Sequence, residues 1–144
     1  MMRALILALL LCLAAPSFAE ESAEDSTAIP QVTTVAYYFY TTARCASCLK
    51  IERLSHEAIE QGFADQIANG ELTWMMKNLD EAENEHFVED YNLFTKTLVL
   101  AQFQDGKQTK WQSCPKVWEL LNDEDEFKRY VAAEVTAFLG QTDE

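Results

Sequence analysis

The fold turns on T-T-V-A-Y-Y-F-Y-T-T-A-R-C-A-S-C-L-K-I-E, residues 33–52. Residues 33–40 are β-branched and aromatic, and apolar at both alternating positions, the pattern of a strand covered on two sides. From Cys45 the period changes. Cys48, Ile51, Leu54, Ser55, Ala58, Ile59 and Gly62 recur at helical spacing, while Lys50, Glu52, Arg53, Glu57 and Glu60 face away. Two cysteines separated by two residues therefore stand where a strand gives way to a helix. A C-x-x-C is open to three readings there: a redox dithiol, half of a metal site, or a short structural disulfide.

Outward from this junction, residues 63–69 add a further short turn closed by Gly70, and L-T-W-M-M-K-N-L (72–79) reads as a second strand. Residues 80–91 read as a helix with acids packed at its start, where the helix dipole favours them. Two extended runs, 97–104 and 107–112, flank Asp105-Gly106 and predict a hairpin. Residues 115–121 and 124–139 read as helical, with Val117, Leu120 and Leu121 on the first apolar face and Phe127, Val131, Val135 and Phe138 on the second. The order is β-α-β-α-β-β-α, an α/β fold with a central mixed sheet and helices on both faces. The first two links are helical and suit parallel crossovers, and the hairpin adds an antiparallel edge.

The ends of the 144-residue chain are of a different character. Residues 1–19 carry one cation, Arg3, then an apolar run, then Pro16 and S-F-A, the pattern of a cleavable export signal. The run is shorter than the roughly 20 residues that span a bilayer, which weighs against an uncleaved anchor, and bulky Leu11 before Cys12 weighs against a lipoprotein. Residues 20–31 are acidic and aperiodic, the composition of a disordered leader. One domain, residues 32–140, remains. Removal of Arg3 leaves 10 basic against 24 acidic side chains, a charge near −14. Such a surface repels polyanions and argues against nucleic acid as a partner. Cys12 leaves with the signal, so Cys45, Cys48 and Cys114 remain, which is one pair and one lone thiol.

With C-A-S-C at a strand–helix junction in this element order, the domain resembles the thioredoxin fold over residues 32–140. More narrowly, Y-Y-F-Y-T-T-A-R-C-A-S-C-L-K-I-E (37–52), T-K-T-L-V (95–99) and V-W-E-L-L (117–121) are similar to an exported thioredoxin-like group, the nitrophenyl compound nitroreductase subunit ArsF family. The resemblance implies an accessory redox role in the periplasm or outside the cell. The chain departs from thioredoxins in three places. Arg44 replaces the usual Trp before the first cysteine, Ala46-Ser47 replaces Gly-Pro between the two, and residues 94–98 lack the proline that thioredoxins carry in cis opposite the dithiol. A cis bond without proline costs about 3–4 kcal/mol, so a trans peptide is expected.

The chemistry can be argued from the residues alone. Disulfide exchange needs a thiolate, and the unpaired N–H groups of a helix start stabilise one. Cys45 lies at that start and is the expected nucleophile. Cys48, one turn deeper on the apolar face, is the expected resolving thiol. Arg44 and Lys50 add positive charge that should lower the attacking thiol's pKa and push the couple toward oxidising behaviour. Thr95 and Lys96 fall where the proline is missing, and Lys96 could bring a third cation to the thiols or be a solvated loop residue. Cys114, in Q-S-C-P-K-V-W, is a candidate third redox thiol or a packed inert one.

A metal reading needs further ligands. His56 lies eight residues past Cys48, about 12 Å along a helix at 1.5 Å per residue, too far to share an ion with that sulfur. His86 stands among Glu83, Glu85 and Glu89, as on a solvated face, so no metal site is expected. A structural disulfide across so short a loop would constrain the unfolded chain little. The expectation is a thiol–disulfide oxidoreductase without bound cofactor, acting on protein thiols or disulfides or taking electrons from a membrane donor. Two alternatives stand beside it: a non-catalytic accessory subunit bound to a redox enzyme, and a soft-metal carrier using the same sulfurs.

Overall fold

The computed structural model describes residues 31–140. The expected export signal and nearly all of the acidic leader lie outside the described residues. Among them, no helix is long and apolar enough to cross a membrane. The element order is β1 (Val32–Tyr40), α1 (Ala46–Gly62), α2 (Ala64–Ala68), β2 (Leu72–Asn78), α3 (Phe87–Asp90), β3 (Thr97–Gln104), β4 (Lys107–Ser113) and α4 (Glu124–Gly140), with 3-10 turns at Ala82–Asn84 and Pro115–Trp118.

The four strands form one sheet in the order β2-β1-β3-β4. β1 is parallel to β2 and antiparallel to β3, and β4 is antiparallel to β3. This is the strand order and orientation of the thioredoxin fold. β1 earns its central place through residues apolar on both faces: Val35, Ala36, Tyr37, Tyr38 and Phe39 are all buried. The hairpin falls where expected, with Asp105 and Gly106 both at positive φ (51° and 78°), the geometry of a type I′ turn.

On one face, Ala36 and Tyr38 of β1 and Leu98 and Leu100 of β3 meet Ile51, Leu54 and Ile59 of α1 and Phe127, Val131, Val135 and Phe138 of α4. Each buried Val, Leu, Ile or Phe of this set contributes about 1.5–3 kcal/mol. Cutting Leu54 or Phe127 back to Ala would cost about 2–5 kcal/mol. The other face holds Val35, Tyr37, Phe39, Val99 and Ala101 under Phe87 and Tyr91, an aromatic cluster with Phe39 and Phe87 ring centroids 5.2 Å apart.

Four expectations need correction. Residues 80–91 are not one helix but a 3-10 turn followed by the single turn of α3. Asn84 is buried, and its side-chain amide donates to the Asn78 carbonyl (2.9 Å) and Glu81 Oε2 (3.0 Å), bonds that hold this stretch in a tight turn. Likewise, only Pro115–Trp118 of residues 115–121 is helical, as a 3-10 turn. The link from β2 to β3 is not a parallel crossover. β2 ends at Asn78 opposite Tyr40 and β3 begins at Thr97 opposite Phe39, so both lie at the same end of the sheet and the link need only pass β1 there. Gly62, placed on the apolar face of α1 by its spacing, is exposed.

Candidate functional site

β1 ends at Tyr40 and residues 41–45 carry the chain to α1. This loop is tied on both flanks. The Thr42 backbone N–H donates to Asp80 Oδ2 (2.8 Å), and Lys96 Nζ donates to the Ala43 carbonyl (3.0 Å). The loop delivers Cys45 as the N-cap of α1, exposed, with extended backbone (φ −100°, ψ 160°). Its sulfur accepts the backbone N–H of Cys48 at 3.1 Å, one of the donors a helix start leaves unpaired. The first turn of α1 contains no acidic residue to oppose negative charge on that sulfur.

Cys48 is fully buried on the inner face of α1, and the two cysteines form a disulfide with Cα atoms 5.0 Å apart. An exposed sulfur at a helix N-terminus, backed by a buried one within bonding reach, is an arrangement competent for thiol–disulfide exchange. All described peptide bonds are trans, including those of residues 94–98 where thioredoxins have the cis-proline.

The surrounding cations are not free. Arg44 pairs with Glu52, and its guanidinium lies over the Tyr40 ring, 4.4 Å from the centroid. Lys50 Nζ meets Glu124 Oε1 at 3.0 Å, and Arg53 shares that carboxylate at 3.1 Å. The positive field expected from Arg44 and Lys50 is therefore offset by carboxylates. Thr95 is exposed; Lys96 is half-buried and is the cation that the structure brings to the cysteine loop without a carboxylate contact of its own among those resolved. Trp118 fixes that neighbourhood by donating its indole N–H to the Lys96 carbonyl at 2.7 Å. Beside it Phe94 projects 99% exposed.

Three residues gain roles that sequence alone did not assign. Tyr38 is fully buried, and its hydroxyl donates to the Cys48 carbonyl at 2.7 Å, tying β1 to the start of α1. Burial pushes its pKa up to about 12, against an opposing pull from Arg44. Glu52 and Glu124 neutralise the two cations. For Glu52 the signal was in the sequence, because it lies four positions past Cys48, although the periodicity set it among the outward residues. For Glu124, 74 positions past Lys50, nothing local marked it.

Cys114 is a free thiol with no solvent exposure, packed in the larger core cluster. Its N–H donates to the Leu98 carbonyl at 2.9 Å. Burial pushes the thiol's pKa up to about 12, Glu134 adds to this, and contacts with Tyr130 and Gln112 draw it partly back. These are the surroundings of the packed, inert alternative. His56 pairs with Glu60 (3.0 Å) and His86 with Asp90 (2.7 Å). Among the described residues no three His, Cys, Asp or Glu side chains cluster as metal ligands would. Two surface depressions, of about 420 and 430 Å³, are lined by residues around Gln31 and Asp105 and around Lys116 and Tyr130, neither including Cys45 or Cys48.

No protein-family model matches the chain, and no curated protein matches it in sequence. The solved structures it is similar to include three thioredoxins. A mutant thioredoxin from Halobacterium salinarum NRC-1 is 22% identical, covering 69% of this chain and 73% of that one, with a TM-score of 0.38. A Fasciola hepatica thioredoxin is 17% identical over 66% and 81% of the two chains, TM-score 0.38. Thioredoxin O2 from Arabidopsis thaliana in its oxidized state is 19% identical over 65% and 74%, TM-score 0.39. The fold of this chain rests on its own strand order, with a C-x-x-C disulfide at the start of its first helix.

Proposed function

We propose that the protein is an exported thiol–disulfide oxidoreductase in which Cys45 attacks and Cys48 resolves, with protein thiols or disulfides as substrates. One observation carries this reading: Cys45 is exposed and its sulfur accepts a helix-start N–H, while its disulfide partner Cys48 is fully buried. A thiolate at Cys45 keeps that N–H and can attack a substrate disulfide. Cys48, shielded from outside thiols, then attacks the mixed disulfide and releases the substrate. Two sulfurs store the two electrons, so the reaction needs no bound cofactor. The signal-like residues 1–19 support export to the periplasm or beyond, and the 37–52, 95–99 and 117–121 motifs support placing the chain with the ArsF-labelled group.

The deciding experiment is a redox titration against glutathione, with alkylation and mass spectrometry locating the disulfide. A reversible Cys45–Cys48 couple between about −270 and −120 mV, the span of thiol oxidoreductases, supports the reading. A pair still oxidised below about −300 mV marks a structural disulfide and sinks it.

A second reading, a non-catalytic subunit that binds a redox enzyme, draws on the exposed Phe94 and on Lys96, whose side chain already occupies the Ala43 carbonyl beside the dithiol. It predicts that a Cys45→Ser/Cys48→Ser double variant captures the partner with unchanged affinity. Loss of capture in that variant would count against it.

A further inference from the structure

Resting on the oxidoreductase reading above, we propose that Glu52 poises the dithiol as an electron donor by cancelling the charge that Arg44 would otherwise hold beside the two sulfurs. A cation next to a thiolate stabilises the reduced form and turns a C-x-x-C into an oxidant. Arg44 directly precedes Cys45, and its charge pulls down the pKa of Tyr38, whose hydroxyl donates to the Cys48 carbonyl. There the guanidinium lies against Tyr40 and meets Glu52, which stands one helical turn beyond Cys48. Both side chains are only about a quarter exposed (23% and 25%), and Arg44 Nε and Nη2 and Glu52 Oε2 are closed off from solvent. Screening of the pair by water and salt is accordingly weak.

Two of the three other charged groupings around the dithiol point the same way, and Lys96 is the exception. From α4, Glu124 takes Lys50 and Arg53; from the link after β2, Asp80 holds the Thr42 N–H; Lys96, before β3, donates to a neutral carbonyl. The helix-start N–H at Cys45, with Lys96 at the loop, is left to stabilise a thiolate, enough for attack without making the reduced state a sink.

The donor cycle balances as follows. Cys45 thiolate attacks a substrate disulfide, forming a Cys45–substrate S–S bond and expelling one substrate thiolate. Cys48 loses its proton to water, and its thiolate attacks Cys45 Sγ. That closes the Cys45–Cys48 disulfide, breaks the mixed one and expels the second thiolate, which takes up a proton. Two electrons have passed to the substrate, and a second dithiol protein must return them.

The test is a glutathione redox titration of the purified protein, with the pH profile of Cys45 alkylation, on wild type, Glu52→Gln, Arg44→Gln and the double variant. Glu52→Gln should move the equilibrium toward the dithiol about tenfold, which is about 30 mV for a two-electron couple, and Cys45 should alkylate at lower pH. Arg44→Gln should move both readouts the opposite way, the double variant should return near wild type, and Glu52→Asp should preserve wild-type behaviour. Wild-type dithiol should also reduce a protein disulfide faster than wild-type disulfide oxidises a reduced protein. The reverse order of those rates, or a reversible couple that Glu52→Gln leaves unmoved, overturns the role of Glu52 alone. A pair that never reduces reversibly overturns the oxidoreductase reading with it. A scaffolding role for Glu52 would lower the unfolding temperature without the opposed shifts of the two single variants.

Discussion

Cys45 and Cys114 hold the same local position, each at the N-cap of a helical segment, and their surroundings are opposite in burial and hydrogen bonding. Cys45 leads a 17-residue helix, is exposed, and takes an N–H from the first turn. Cys114 leads four residues of 3-10 helix, makes no side-chain capping bond, and sits buried with Glu134 among the charges that act on it. A helix start favours a thiolate only when water and field agree with it. Position in the motif is half of the answer, and the other half is burial.

The sharpest way to break this contrast is to remove one sulfur at a time. Cys45→Ser should abolish disulfide exchange, followed as reduction of a protein disulfide, whereas Cys114→Ala should leave the rate intact and lower stability by about 1 kcal/mol for the small cavity left. Retained exchange in Cys45→Ser would undo the comparison. Next in size is reactivity. With its pKa near 12, Cys114 holds roughly one part in ten thousand as thiolate at pH 8. After reduction Cys45 should therefore alkylate roughly 10³-fold faster in the folded protein, which a time course read by mass spectrometry would show.

Base stability comes third. The Cys114 thiol, normally near 9, and the Tyr38 hydroxyl, normally near 10, are both raised to about 12, and burial raises Tyr91 and Tyr130 as well. Each group is neutral below its pKa, so between about pH 9 and 12 the folded state binds more protons than the unfolded one. Stability should then be level below pH 9 and fall as the pH rises above it. Cys114→Ala should blunt the onset of that fall in denaturant titrations at pH 8 to 11. The smallest expected change is Tyr38→Phe, which removes the bond to the Cys48 carbonyl and should cost about 1 kcal/mol. Denaturation of the oxidised and dithiol forms side by side would show whether that bond holds α1 in place in both states.

The parts legible in the sequence were those with strong local periodicity or turn chemistry. Val35 to Phe39 announced a strand buried on both faces, the cysteine-to-Ile59 run announced α1, and Asp105-Gly106 announced its own turn. Residues 80–91 misled because their acids suit a helix start, while the decisive fact, the side-chain bonds of buried Asn84, depends on where Asn78 lies. The site divides in the same way. The cysteine pair could be read from spacing. The partners that set its electrostatics could not, because Lys50 meets Glu124, Thr42 meets Asp80, and Ala43 meets Lys96 only after the sheet and α4 are assembled.

The place of β1 in the sheet has a kinetic consequence. It is the first strand among the described residues, yet one of its two neighbours is β3, where Ala36 pairs with Leu100, 64 positions later. Its other partner, β2, is itself separated from it by the whole of α1. Closing loops of that length must precede the contacts that reward them, which slows folding relative to helical chains of similar size. Until residues 97–104 have been made, Tyr38 and its neighbours have a partner on one side at most. The chain therefore stays open through most of its synthesis, and the hydroxyl that steadies Cys48 reaches its place only as the last strands close.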